Sequence, residues 1–297
     1  MFRRSKQHAI AAPLAPIRVG YYAPLELSYL HAGDHGHPVV MLHGWGAFKE
    51  LWWPTLRGLG RDYRCFALDL PGHGDSALGR AATLVALAQT VADFCDAFGL
   101  KPMTLMGHSM GGAVAAELAL LRPDLVSHLV LVDAAVDAYR MPFYARTYML
   151  PTFGWALLRV SQALGRAARP LSTQVPHEHG GGWLRPWLRR NAYLSIFEPE
   201  GLHRLYRSLF ATRTGARLAH LSMPTLVISG QFDSLVPTAH SRRIARLIAG
   251  ARYAEIPGAL HNPMDERPVA FEQVVRSFLP QRDSFRALYR SEAFSAS

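Results

Sequence analysis

Met103-Thr104-Leu105-Met106-Gly107-His108-Ser109-Met110-Gly111-Gly112-Ala113-Val114-Ala115-Ala116 is the stretch on which the reading of this chain turns. An apolar run, 103–106, predicts a buried strand. A run of small residues from Gly111 to Leu121 predicts a helix that stops near Pro123. Between them lies Gly107-His108-Ser109-Met110-Gly111, the Gly-x-Ser-x-Gly pattern of a nucleophile turn. A serine there is held in a strained conformation with its hydroxyl raised above the sheet. The flanking glycines are required because a Cβ would collide where strand and helix approach. The pattern alone occurs by chance; its placement between strand and helix gives it weight.

Outward from Ser109, apolar runs predict further strands at 17–22, 25–31, 39–42, 63–69, 129–132, 225–229 and 252–256. Helical periodicity predicts helices over 48–59, 83–98, 111–121, 241–248 and 269–278, with Thr83 opening one and Gly99 stopping it. Strand–helix alternation of this kind means an α/β fold: a mostly parallel sheet of the eight-stranded type with helices on both faces. The alternation breaks over 137–220, which is rich in Arg and aromatics and contains Gly180-Gly181-Gly182. That stretch is expected to form a helical cap over the carboxyl ends of the strands, where open α/β sheets bind ligands. The expected organisation is a flexible arm (1–16), a core (17–136 and 221–280), the cap, and a tail (281–297).

A serine hydroxyl needs a base to become a useful nucleophile. In this topology an acid and then a histidine follow the serine in chain order. Gly230-Gln231-Phe232-Asp233 follows one late strand and Gly258-Ala259-Leu260-His261 follows the next. Ser109, Asp233 and His261 are therefore the candidate catalytic set: nucleophile, orienting acid and general base. Asp233 with Ser234 could instead cap a helix, and Asp133, at the end of the preceding strand, competes for the role of acid. Of the 14 histidines, only His261 follows a late strand in a loop. His31, His35 and His37 crowd one early loop without a diagnostic metal spacing and read as solvated. Two backbone amides should serve an oxyanion, that of Met110 at the helix start and that of Trp45 in His43-Gly44-Trp45-Gly46. His43, Gly44, Gly107, His108 and Gly111 are expected to support them.

The chain has 297 residues, 49% of them hydrophobic, enough for one large core. No run reaches the ~18 apolar residues that a membrane-spanning helix needs, and the basic, proline-containing N-terminus makes a poor signal peptide. Cys65 and Cys95 sit in apolar patterns and need no disulfide, which suits a reducing, cytoplasmic setting. The net charge is +10, and 12 Arg against four acids between Asp137 and His220 put +8 of it in the expected cap. Such an excess suits an anionic substrate or peripheral contact with an anionic membrane surface; solvated helix faces would account for it equally well. No nucleic-acid partner is expected, and the sequence leaves the oligomeric state open.

Four motifs in order carry a family resemblance: His43-Gly44-Trp45-Gly46, Asp69-Leu70-Pro71-Gly72-His73-Gly74-Asp75-Ser76, Gly107-His108-Ser109-Met110-Gly111-Gly112, and Asp233 with His261. With them the chain resembles the α/β-hydrolase superfamily over about 17–280, the cap excepted. The resemblance implies a serine hydrolase with no metal and no organic cofactor, and a structural role for 69–76 beside the site. Serine at position 109 sets the chain apart from the dehalogenases and epoxide hydrolases of the superfamily, which carry Asp there. The single Gly-Trp pair differs from the Gly-Gly-Gly of some lipases and esterases. The leading expectation is a small-molecule ester substrate, lipid-like or anionic. Phe143, Tyr144, Tyr148, Phe153, Trp155, Trp183, Trp187 and Tyr193 would suit acyl chains or aromatic esters, although core packing explains most such stripes. A C–C bond hydrolase of ring-cleavage products, an acyltransferase, and a non-enzymatic receptor or scaffold on the same fold are the alternatives.

Overall fold

The structure, a computed structural model, describes residues 15–79, 82–143, 151–172 and 197–280. Eight strands form one sheet in the order β1-β2-β4-β3-β5-β6-β7-β8. They are β1 (Ile17–Tyr22), β2 (Leu27–Ala32), β3 (Pro38–Leu42), β4 (Arg64–Leu68), β5 (Met103–His108), β6 (Val126–Val132), β7 (Thr225–Gly230) and β8 (Arg252–Ile256). β2 runs antiparallel to both neighbours, and every pair from β4 through β8 is parallel. All eight predicted strands are present. β2 starts at Leu27 because Ala23–Leu25, with Pro24, forms a 3-10 turn first.

Among the described residues the α-helices are α1 (Trp53–Leu59), α2 (Leu84–Ala97), α3 (Met110–Leu121), α4 (Pro151–Ser172), α5 (Pro199–Ala211), α6 (Thr238–Leu247), α7 (Pro263–Glu266) and α8 (Pro268–Arg276). Thr83 opens α2 by accepting the Ala86 N–H with its hydroxyl. The predicted helix 48–59 divides into a 3-10 turn, Lys49–Trp52, and α1, with Pro54 in the first turn of α1 where its missing N–H costs nothing. α4 and α5 lie in the stretch between β6 and β7 where a cap was expected. The arm through residue 14, the Gly180–Gly182 run and the tail fall outside the described residues.

Buried strands on a two-residue period feed a core on each face of the sheet. Val40, Leu42, Phe66, Leu68, Leu105 and Leu131 pack with α2, α3 and α5 on one face. Val39, Met41, Cys65, Ala67, Met106 and Val130 pack with α1 and α8 on the other. Register then fixes what the loops can do. His108 pairs with Val132, and Val132 with Ile228, so residues leaving β5, β6 and β7 emerge at one level. The Ser109 N–H donates to Val132 O at 3.0 Å and the Asp133 N–H to Ile228 O at 2.9 Å, extending the ladder by one residue. No described helix is long and apolar enough to cross a membrane.

One expectation about the early loop is corrected. His35 is exposed, but His37 is buried, with its Nε2 2.9 Å from the Thr104 hydroxyl, and His31 stacks on Phe66. His37 turns inward because it immediately precedes β3, whose residues are all buried. Burial pushes its imidazole down to about 4, so it is neutral.

Candidate active site

Ser109 sits at φ 53° and ψ −117°, a left-handed conformation costly for a residue with a Cβ. It is held there by close backbone packing. A Cβ on Gly107 would lie 2.2 Å from Gly111 O, and one on Gly111 would lie 2.4 Å from His43 O and 2.5 Å from Leu42 O. The turn is wedged between β3 and α3 and has no space to relax.

Asp233 and His261 meet over the ends of β7 and β8. The His261 Nδ1–H donates to Asp233 Oδ2 at 2.7 Å, and Asp233 Oδ1 accepts from the Leu235 and Val236 amides at 2.8 and 3.0 Å. Asp233 therefore closes the turn before α6 while it holds the imidazole; it is not the helix cap that its position suggested, because α6 begins at Thr238 with Pro237 as N-cap and no side-chain cap. Burial works against its charge, but the His261 ring and the Val236 amide outweigh it and hold the carboxyl below its usual range. With Nδ1 carrying the proton, Nε2 of His261 is the basic nitrogen. Asp133 comes to the same place, with a carboxylate oxygen within 4.8 Å of Asp233 and His261.

Ser109 and His261 line one cavity of about 150 Å³, together with Gly44, Trp45 and His108. His108 is buried, its Nε2–H donates to the His261 carbonyl at 2.7 Å, and its ring lies 4.7 Å from that of His261. His43 acts on the other wall. Its Nδ1–H donates to Gly44 O at 2.7 Å and its Nε2 accepts the Leu70 N–H at 3.0 Å. Burial pushes its ring down to about 4, which keeps that acceptor neutral. In a trans peptide the N–H points opposite to the C=O. Pinning the Gly44 carbonyl with His43 and the Ala47 N–H thus fixes the direction of the Trp45 amide.

Sequence reasoning missed what holds the loop 69–76. Lys49 is fully buried, with Nζ 2.6 Å from Asp69, 2.7 Å from Asp75 and 3.3 Å from Glu50. Burial disfavours the ammonium, and the carboxylates of Asp69 and Glu50 outweigh it. The ion pair is the physical basis of the structural role that the resemblance implied. Nothing in the pattern around Lys49 sets it apart from a surface lysine.

Among the described residues of the inserted stretch, Met141, Tyr206, Leu209 and Phe210 line the cavity. Of the aromatics expected there, Phe143, Phe153 and Trp155 are exposed, and Tyr144, Tyr148, Trp183, Trp187 and Tyr193 fall outside the described residues. Tyr206, Leu209 and Phe210 recur on one face of α5 at helical spacing, the signal that could have found them. The Trp45 indole joins that helix to the oxyanion loop, with Nε1–H donating to Leu202 O at 2.8 Å and its ring 4.8 Å from Tyr206.

Comparison with known proteins agrees with this architecture. The family profile described as alpha/beta hydrolase fold matches residues 37–268. The chain belongs to that family. Its relatives include an sn-1-specific diacylglycerol lipase of Mus musculus, 32% identical over 273 residues that cover 86% of each protein. The dihydrolipoyllysine-residue acetyltransferase component of the acetoin cleaving system of Cupriavidus necator is 32% identical over 232 residues; the match covers 73% of this chain and 57% of that protein's length. Among solved structures, a thermophilic esterase from Thermogutta terrifontis superposes with a TM-score of 0.66 at 25% identity, covering 84% of this chain and 92% of that one. Esterases, lipases and other hydrolases recur among the matches, and the chain is a hydrolase of this fold.

Proposed function

We propose that this α/β-hydrolase cleaves carboxylic esters through an acyl-enzyme on Ser109. The observation that carries the reading is an imidazole, fixed by Asp233 at 2.7 Å, sharing a cavity with a serine on a strained turn. Ser109 Oγ attacks the acyl carbon while His261 Nε2 takes its proton. Negative charge collects on the former carbonyl oxygen, facing the Trp45 and Met110 amides. His261 returns the proton to the departing alkoxide, and the alcohol leaves. Water then attacks the acyl carbon, His261 again acting as base, and the acid is released as Ser109 regains its proton.

A cavity of about 150 Å³ with Leu209, Phe210, Tyr206 and Met141 on its wall suits a short acyl chain or an aromatic ring. The test is burst release of nitrophenol from short p-nitrophenyl esters. A burst in the native protein that disappears in Ser109→Ala supports the reading; equal release by both removes it. The acetyltransferase relative favours a second reading in which an alcohol or thiol replaces water as acyl acceptor. Faster nitrophenol release on adding such acceptors, with their esters accumulating, would select it. A vinylogous diketone panel separates C–C bond hydrolysis from both.

For partners, α4 carries exposed Phe153, Trp155, Val160 and Leu164 beside Arg159, a combination suited to an anionic lipid surface. Co-sedimentation with phosphatidylglycerol vesicles that weakens as salt rises is the expected outcome; equal binding to neutral vesicles opposes it. Cys65 and Cys95, buried and unpaired, fit a reducing compartment such as the cytoplasm.

A further inference from the structure

Behind Asp233 lies a carboxyl group that the ester reaction does not use. Asp133 follows β6 directly and is fully buried. Its backbone takes φ 42°, a left-handed conformation, and its N–H donates to Ile228 O at 2.9 Å. Oδ1 accepts the Ser229 hydroxyl at 3.1 Å and the Gly230 N–H at 3.0 Å, and the same N–H branches to Oδ2 at 3.2 Å. A carboxylate oxygen of Asp133, one of Asp233 and a ring nitrogen of His261 all lie within 4.8 Å of one another.

Two buried carboxyls this close cannot both ionise beside a neutral imidazole, because each charge disfavours the other in a poorly hydrated space. The surroundings decide which one keeps the proton. Asp233 receives three N–H donors and faces the ring that becomes a cation during turnover. Asp133 receives one hydroxyl and one shared amide. The same donors already occupy the oxygens that a cation would need, so the group suits proton sharing better than metal binding.

We propose that Asp133 is a positioning residue that keeps its proton and donates a hydrogen bond to Asp233, holding that carboxylate against His261 Nδ1. Burial, reinforced by the charge of Asp233, raises the Asp133 carboxyl well above its usual range, and the hydrogen bond from Asp133 helps to keep Asp233 ionised. Among the described residues, the titratable groups facing the two carboxyls are each other and His261; His108 lies against the His261 ring.

This inference rests on the ester-hydrolase reading. It is tested by the pH profile of kcat/KM for Asp133→Asn on a short nitrophenyl ester. Asparagine keeps a donor toward Asp233 and an acceptor toward Gly230. The expected result is kcat within about threefold of the native protein and an acid limb that does not move. If Asp133 were ionised, removing its charge so close to the ring would pull the acid limb down by about one pH unit or more, and that result overturns the proposal. Asp133→Ala removes the donor. Its expected loss in kcat is about tenfold or more with KM nearly unchanged, and its acid limb rises because the unrestrained Asp233 is more basic. An Asp133→Ala protein that melts normally with unchanged kcat also overturns the proposal; if that variant fails to fold, Asp133→Asn decides alone. The two readings fail differently: turnover surviving in Ser109→Ala sinks the acyl-enzyme reading on Ser109, whereas a shifted limb in Asp133→Asn with Ser109→Ala inactive sinks only the role of Asp133.

Discussion

The turn at Ser109 and the helix α5 line the same cavity, yet opposite means build them. At the turn, three backbone segments meet so closely that Gly107 and Gly111 have no space for a methyl group. At α5, an amphipathic helix lays Leu202, Leu205 and Leu209 on the core. Its polar contacts to other elements include the Trp45 indole on Leu202 O and the Leu84 N–H on the Ser208 hydroxyl at 3.1 Å. A reacting group has to be placed within a fraction of an ångström, and close-packed backbone does that. A pocket wall needs only shape and apolar character, which many side chains supply. One region should be intolerant of change and the other tunable.

Asp233→Asn should have the largest effect on the intolerant side. The amide can stay within hydrogen-bond reach of His261 but favours the wrong tautomer, so kcat should fall by about ten-thousand-fold. Steady-state kinetics on a short ester would measure it, and a loss below tenfold would take Asp233 out of the mechanism. Gly111→Ala should cost about 4 kcal/mol or more in chemical denaturation, because its Cβ meets carbonyl oxygens that belong to β3 and the loop after it. A near-native stability would show that the turn has slack and erase the contrast with α5.

A pH series tests the buried histidines. His37 and His43 are held near 4 and His73 near 3, against 6.5 in the unfolded chain, so the native state refuses protons that the unfolded state takes up. Their neutral forms contribute stability that is fully present above about pH 6.5. It drains away as the pH falls toward 4, by about 3 kcal/mol for one histidine held that low. Thermal melts between pH 7.5 and 4.5 should fall accordingly, and His37→Gln should flatten the slope. A flat native curve would mean that these rings protonate in place.

The smallest effect is expected on the tunable side. Phe210→Ala should lower kcat/KM for short acyl esters by about tenfold, chiefly through KM, and shift preference toward longer chains. A collapse in kcat instead would mean that α5 positions the reacting groups as strictly as the turn does.

The sheet was legible because its strands are short apolar runs between turn residues, a local signal. The convergence of Ser109, Asp233 and His261 at one edge was legible for a related reason: each follows the carboxyl end of such a run, and parallel register brings those ends to one level. What escaped depends on approach in three dimensions. Lys49 gains its meaning from Asp69, 20 residues away. His37 looked solvated because its loop is polar, while Thr104, 67 residues distant, gives it a partner. Asp133 and Asp233 were weighed as rivals for one role because linear order cannot show that both loops end in the same place. Tyr206, Leu209 and Phe210 join the described cavity wall through the facing surface of α5, which aromatic density alone does not single out.

The most direct test of the account is covalent capture by an activated alkyl phosphonate, read by intact mass and peptide mapping. The account requires one phosphonyl group per chain, on the peptide containing Ser109, with no label in Ser109→Ala and labelling slowed by several orders of magnitude in His261→Ala. A label on another residue, or equal labelling of Ser109 with and without the His261 imidazole, would contradict it.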